Sequence, residues 1–187
     1  MRSKYLLSFP ERDNEASIFY LIFLDCSYIS DMKNNDILRR IRYTFDFNDN
    51  KMMELFAKAD YPATRAQISD WLKKEDDPAF RSLHDKYLAI FLNGLINDRR
   101  GKREGPQPKP EKTLNNNIIL RKLKIALNLK DNEMLNLLSL AGLQISKHEL
   151  SAFFRKPGQR QYRECKDQVL RNFLHGMQIR YREHEEK

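Results

Sequence analysis

Two triplets of side chains in this sequence have the types and the spacing to touch phosphate. Arg65, Ser69 and Lys73 stand four residues apart, and so do Lys147, Ser151 and Arg155. On a helix that spacing places side chains on one face. Lys and Arg neutralise phosphate charge, and a Ser hydroxyl can donate to a phosphate oxygen. An ordinary solvated face is the competing reading, and Asp70 beside the first triplet counts towards it. No other chemistry finds a constellation. His84, His148, His175 and His184 have neither triad nor metal spacing around them, and Cys26 and Cys165 form no CxxC pair. There is no phosphate-binding loop, dinucleotide fingerprint, nucleophile elbow or HExxH helix. The acidic run Glu75-Asp76-Asp77 reads as a solvated turn. The expectation is therefore no catalytic, cofactor-binding or metal-binding residues, and no enzyme activity.

The elements that must position these residues are set by an internal repeat. Residues 34–100 match residues 116–182 without a gap when the sequence is shifted by 82 positions, as 116 minus 34 gives. Asp49-Asn50-Lys51-Met52 falls on Asp131-Asn132-Glu133-Met134, and Phe91-Leu92-Asn93-Gly94 on Phe173-Leu174-His175-Gly176. Each copy is thus a control for the other. The histidines fail that control, because none is shared. Both phosphate triplets pass it.

Each copy reads as four helices. Asn34 or Asn35, and Asn116 or Asn117, are expected to cap the first helix through their side-chain oxygens. Ile37, Leu38, Ile41 and Phe45 then share an apolar face with counterparts Ile119, Leu120, Leu123 and Leu127. The second helix starts at Asp49 and Asp131 and ends before Tyr61-Pro62 and Gly142-Leu143. Thr64-x-x-Gln67 and Ser146-x-x-Glu149 are capping boxes and open the third helix. Ile68, Trp71 and Leu72 face inward there, matched by Leu150, Phe153 and Phe154. The fourth helix covers about 84–98 and 166–180. Gly94 and Gly176 lie inside it at a cost of about 1 kcal/mol each relative to Ala, and their presence in both copies points to a close approach by another helix or, alternatively, a local kink. That approach is expected at the surface the two copies share. Helices two and three of each copy together have the pattern of a helix-turn-helix pair.

The domain plan is then an extension at 1–31, copy one at 32–98, a basic Pro-rich linker at 99–114, copy two at 115–182 and a tail at 183–187. The extension holds an apolar run at 18–24 that is too short to cross a membrane, since a span needs about 20 residues. It has no partner in copy two, and translation is expected to start at Met32. The fold class is all-α, two tandem four-helix domains packed together, because a domain of this size buries too little surface to be robust alone. Lys and Arg number 34 against 26 Asp and Glu, a formal net charge of +8. That excess favours acidic partners. Two unpaired cysteines without a framework suit a reducing compartment, and Cys165 aligns with Leu83 of copy one, which predicts an apolar core position.

Several motifs, taken in order, resemble the YehS-like bacterial family. They are Asn34-Asn35-Asp36-Ile37-Leu38-Arg39, Trp71-Leu72-Lys73-Lys74-Glu75-Asp76, Phe91-Leu92-Asn93-Gly94-Leu95-Ile96, Arg100-Gly101-Lys102, Asn115-Asn116-Asn117-Ile118 and Arg163-Glu164-Cys165 with Asp167-Gln168. The family is a duplicated domain of unknown function. The resemblance covers roughly Met32 to Arg182. It implies a bacterial cytoplasmic protein, and it carries no functional residues across. The leading expectation is a non-enzymatic binding protein contacting DNA or RNA through Arg65, Ser69, Lys73, Lys147, Ser151 and Arg155. The alternative is a protein–protein interaction adaptor without nucleic acid. Neither reading involves a membrane or a cofactor, and both leave the homo-oligomeric state open.

Overall fold

The computed structural model describes residues 32–182, and the expectations about residues 1–31 and 183–187 fall outside them. Among the described residues there are eight helices and no strand. They are α1 (Asn34–Thr44), α2 (Asp49–Ala57), α3 (Arg65–Leu72), α4 (Asp85–Arg100), α5 (Asn116–Ala126), α6 (Asp131–Leu140), α7 (Lys147–Ala152) and α8 (Asp167–Tyr181). Each copy supplies four of them in the same order.

Local chemistry accounts for the boundaries. Asn48 caps α2 by accepting the Lys51 N–H. Thr64 and Gln67 form a reciprocal capping box at α3, and Ser146 and Glu149 form one at α7, as the sequence predicts. The turn that follows helix two holds in both copies a residue of left-handed backbone, Asp60 at φ 59° and Gly142 at φ 78°. The next N–H then reaches back to Phe56 in one copy and Leu138 in the other, which satisfies orphan carbonyls at the helix end. α2 stops at Ala57 and α6 at Leu140, so both helices end before Tyr61-Pro62 and Gly142-Leu143 as the sequence predicts.

The expected caps on helix one are different. Lys33 precedes α1 without a side-chain cap, and Asn115 caps α5 by accepting the Ile118 N–H. The Asn pairs that follow lie inside their helices and do other work. Asn35 donates to the carbonyls of Trp71 and Arg81, and accepts the Leu83 N–H. Asn117 makes the same three bonds to Phe153, Arg163 and Cys165. These side chains are buried at 1% and 3% exposure, so they stitch the helix three–helix four connection to helix one. A buried backbone group without a partner is costly, and one carboxamide here satisfies three.

Helix one of each copy packs on helix four of the other, α1 on α8 and α5 on α4. The packing between copies is sealed symmetrically. Asp85 accepts the Leu114 N–H at 2.8 Å, and Asp167 accepts the Met32 N–H at 2.8 Å. Donation from Met32, and from the Asn116 amide, holds the Asp167 carboxyl below its usual range although partial burial opposes this. One apolar core runs through both copies, from Ile37, Phe56 and Phe91 to Leu120, Leu138 and Phe173. Trp71 sits in it at 5% exposure, with ring centroids 5.3 Å from both Phe56 and Tyr87. Cys165 occupies the apolar site of Leu83, as the repeat predicts, and burial pushes its thiol up to about 12.

The two helix-four glycines correct another expectation. They do permit a close approach, but within each copy and not at the shared surface. A Cβ on Gly94 would lie 1.7 Å from the Leu55 carbonyl oxygen of α2, and one on Gly176 would lie 1.8 Å from that of Leu137 in α6. Only a residue without a side chain lets those backbones touch.

Candidate nucleic-acid interface

The third helix of each copy begins on the exposed side of the capping box, so its first residue points to solvent. Arg65 opens α3 and Lys147 opens α7, and both are exposed. Ser69 and Ser151 follow on the same helices, also exposed. The third members of the triplets lie elsewhere than expected. α3 ends at Leu72 and Lys73 is extended, while α7 ends at Ala152 before Arg155. A spacing of four carries facial meaning only within a helix. Beyond both helix ends the chain is held by helix one: Arg39 donates to the Lys73 carbonyl, and Arg121 donates to that of Phe154.

The two copies then diverge in how their charge is used. In copy one, Arg65 is taken up by Asp49 at 3.2 Å and by the Asn50 side chain at 2.5 Å. Lys73 pairs with Asp70 at 3.2 Å. The connection that follows carries Glu75, Asp76 and Asp77 beside Lys74 and Arg81, with Glu75 bound to Lys33 at 2.6 Å. In copy two, Lys147 makes no ion pair or side-chain hydrogen bond. Arg155 donates to the Arg160 carbonyl and the Gln161 side chain, which fixes the loop. That loop carries Lys156, Arg160 and Arg163 and no acid before Glu164. Lys156 and Arg160 are exposed and their side chains are unengaged within the described residues. Arg163 reaches Glu149 only at 3.7 Å. The Glu149 carboxyl lies below its usual range chiefly through the Ser146 backbone N–H and then the Ser146 hydroxyl.

Copy two thus presents a basic surface around α7 and its loop, whereas copy one presents a charge-balanced one. Lys156 and Arg160 were not singled out by helical spacing, because they lie on a loop. Their signal was the contrast between the two connections, acidic in copy one and basic in copy two. Among the described residues no group of His, Cys, Asp or Glu side chains is arranged to hold a metal, and no helix is long and apolar enough to cross a membrane.

The architecture defines a duplicated all-α protein in which each copy's first helix is clamped by Asn to its own copy and also packs on the fourth helix of the other. The chain belongs to the family described as protein of unknown function DUF1456, matched twice, over residues 34–101 and 116–183. It is similar to the uncharacterized protein YehS of Escherichia coli strain K12, at 43% identity over 150 residues, 80% of this chain and 96% of that relative. No solved structure matches.

Proposed function

We propose that this is a non-enzymatic binding protein that contacts nucleic-acid phosphates through its helix-three faces, with copy two making most of the contact. The observation that supports this reading is the asymmetry of charge use. Lys147, Lys156 and Arg160 are unpaired beside a loop held rigid by Arg155, whereas Arg65 and Lys73 are neutralised within copy one. Unpaired, pre-positioned cations release counterions from a phosphate backbone without first breaking ion pairs. Ser151 adds a hydroxyl donor on the same side of α7. Access to nucleic acid fits a bacterial cytoplasmic location.

Fluorescence anisotropy against duplex DNA, single-stranded DNA and RNA at two salt concentrations tests the reading. Replacing Lys147, Lys156 and Arg160 together by Gln should weaken binding and flatten the salt dependence by about 0.7–0.9 per lost phosphate contact. Replacing Arg65 and Lys73 by Gln should change it little. Absence of binding to all three nucleic acids at low salt would refute it. The charge-balanced face of copy one favours the second reading, an adaptor for a protein partner, and that reading would then stand.

A further inference from the structure

The linker between the copies roofs a cavity of about 580 Å³ between α4 and α5, within the usual range for small-ligand sites. None of the six residues of the phosphate triplets lines it. Its floor is aliphatic: Ile90 and Ile96 from α4, Ile118 and Ile125 from α5, with Pro108 and Pro110 of the linker opposite. The repeat supplies a control, because the groove between α8 and α1 occupies the equivalent place. There the four isoleucines are replaced by Asn172, Gln178, Asp36 and Tyr43. Only one of two equivalent grooves has been made apolar.

Its charge is specialised too. Arg182 in the other groove is occupied, with its guanidinium 3.8 Å from the Tyr43 ring centroid. Arg100, its counterpart, has no such ring, since Ile125 stands where Tyr43 does. Arg100 and Arg103 both line the cavity without an ion pair or side-chain hydrogen bond. Arg121 is engaged only by a neutral carbonyl. Lys122 is 8% exposed, held by Asn93 at 2.5 Å and balanced by Glu111 at 2.9 Å. Three arginines therefore line the cavity without a carboxylate among their partners, while the lining Glu111 is taken by Lys122. The Gln107 amide nitrogen donates to the Arg103 and Gly105 carbonyls, which leaves its oxygen buried without a donor. No aromatic ring lines the cavity, so it offers no stacking platform for a nucleobase.

We infer that this cavity binds a small organic anion, a carboxylate or phosphate ester on an aliphatic body, with the guanidinium groups on its head and the isoleucines along its chain.

Isothermal titration of the full chain with octanoate and with octyl phosphate tests this, with 1-octanol as the neutral control. The expected result is saturable binding of one anion per chain, with octanol weaker by about tenfold or more, as loss of a charge-assisted contact implies. Whichever head group binds tighter identifies the source class. Ile118→Asp, which installs the residue of the other groove in a first helical turn where an acid is favourable, should abolish binding while preserving the melting temperature. Arg103→Gln, in the exposed linker, should weaken it without affecting the fold. No saturable binding of either anion, equal binding of octanol, or wild-type affinity in Arg103→Gln together with Arg100→Gln would overturn the inference.

Discussion

Asn35→Ala should be among the most destabilising single changes in this protein. The side chain is 1% exposed and serves three backbone groups: the Trp71 and Arg81 carbonyls and the Leu83 N–H. Truncation leaves all three without that partner in a site closed to solvent. Each orphaned group costs about 1–3 kcal/mol, and partial relaxation brings the sum to about 3–5 kcal/mol. That is a large share of the roughly 5–15 kcal/mol that holds a domain folded. Asn35→Leu separates the cause from packing, because it restores volume but none of the bonds, and it should rescue little. Asn117→Ala removes the same three bonds in copy two and should cost the same amount. Urea titration followed by far-UV circular dichroism measures all three variants, with the midpoint falling at unchanged slope. A loss below about 1 kcal/mol in both alanine variants would show that the clamps are not what the geometry makes them.

Gly94→Ala and Gly176→Ala should each destabilise strongly, because the added carbon meets a carbonyl oxygen of helix two and not a yielding side chain; melting temperatures near wild type would contradict that packing. Trp71→Ala should cost about 3–5 kcal/mol, and the single Trp should emit at short wavelength in the native state and shift red on unfolding. Cys165 should resist alkylation at pH 8 until the protein unfolds, read by mass spectrometry of its peptide, since burial disfavours its thiolate. Its folded pKa of about 12 lies above the unfolded value, so the folded state holds the proton more tightly. Its stabilising contribution is complete below the unfolded pKa and is lost as pH rises towards 12, so stability should decline through that alkaline window.

The duplication, the eight helices of the described region and most of their starts are legible in the amino-acid order, because these features are local. A capping box is complete within four residues, and an apolar stripe is visible at helical spacing whatever it packs against. The inward face of Trp71 and the apolar site of Cys165 were legible for the same reason, helped by the second copy. What the tertiary structure alone decided was where each polar or small residue spends its capacity. Asn35 reads as a cap until the connection after helix three folds back onto it. Gly94 reads as a seam between copies until helix two of its own copy arrives. Lys73 and Arg155 read as one face with the residues before them until Arg39 and Arg121 hold the chain beyond the helix ends. Pairing of helix one with the other copy's helix four, and the cavity roofed by the linker, have no local signature. They depend on groups dozens of residues apart, brought together by burial of the shared core, and periodicity along one helix carries no information about its partner.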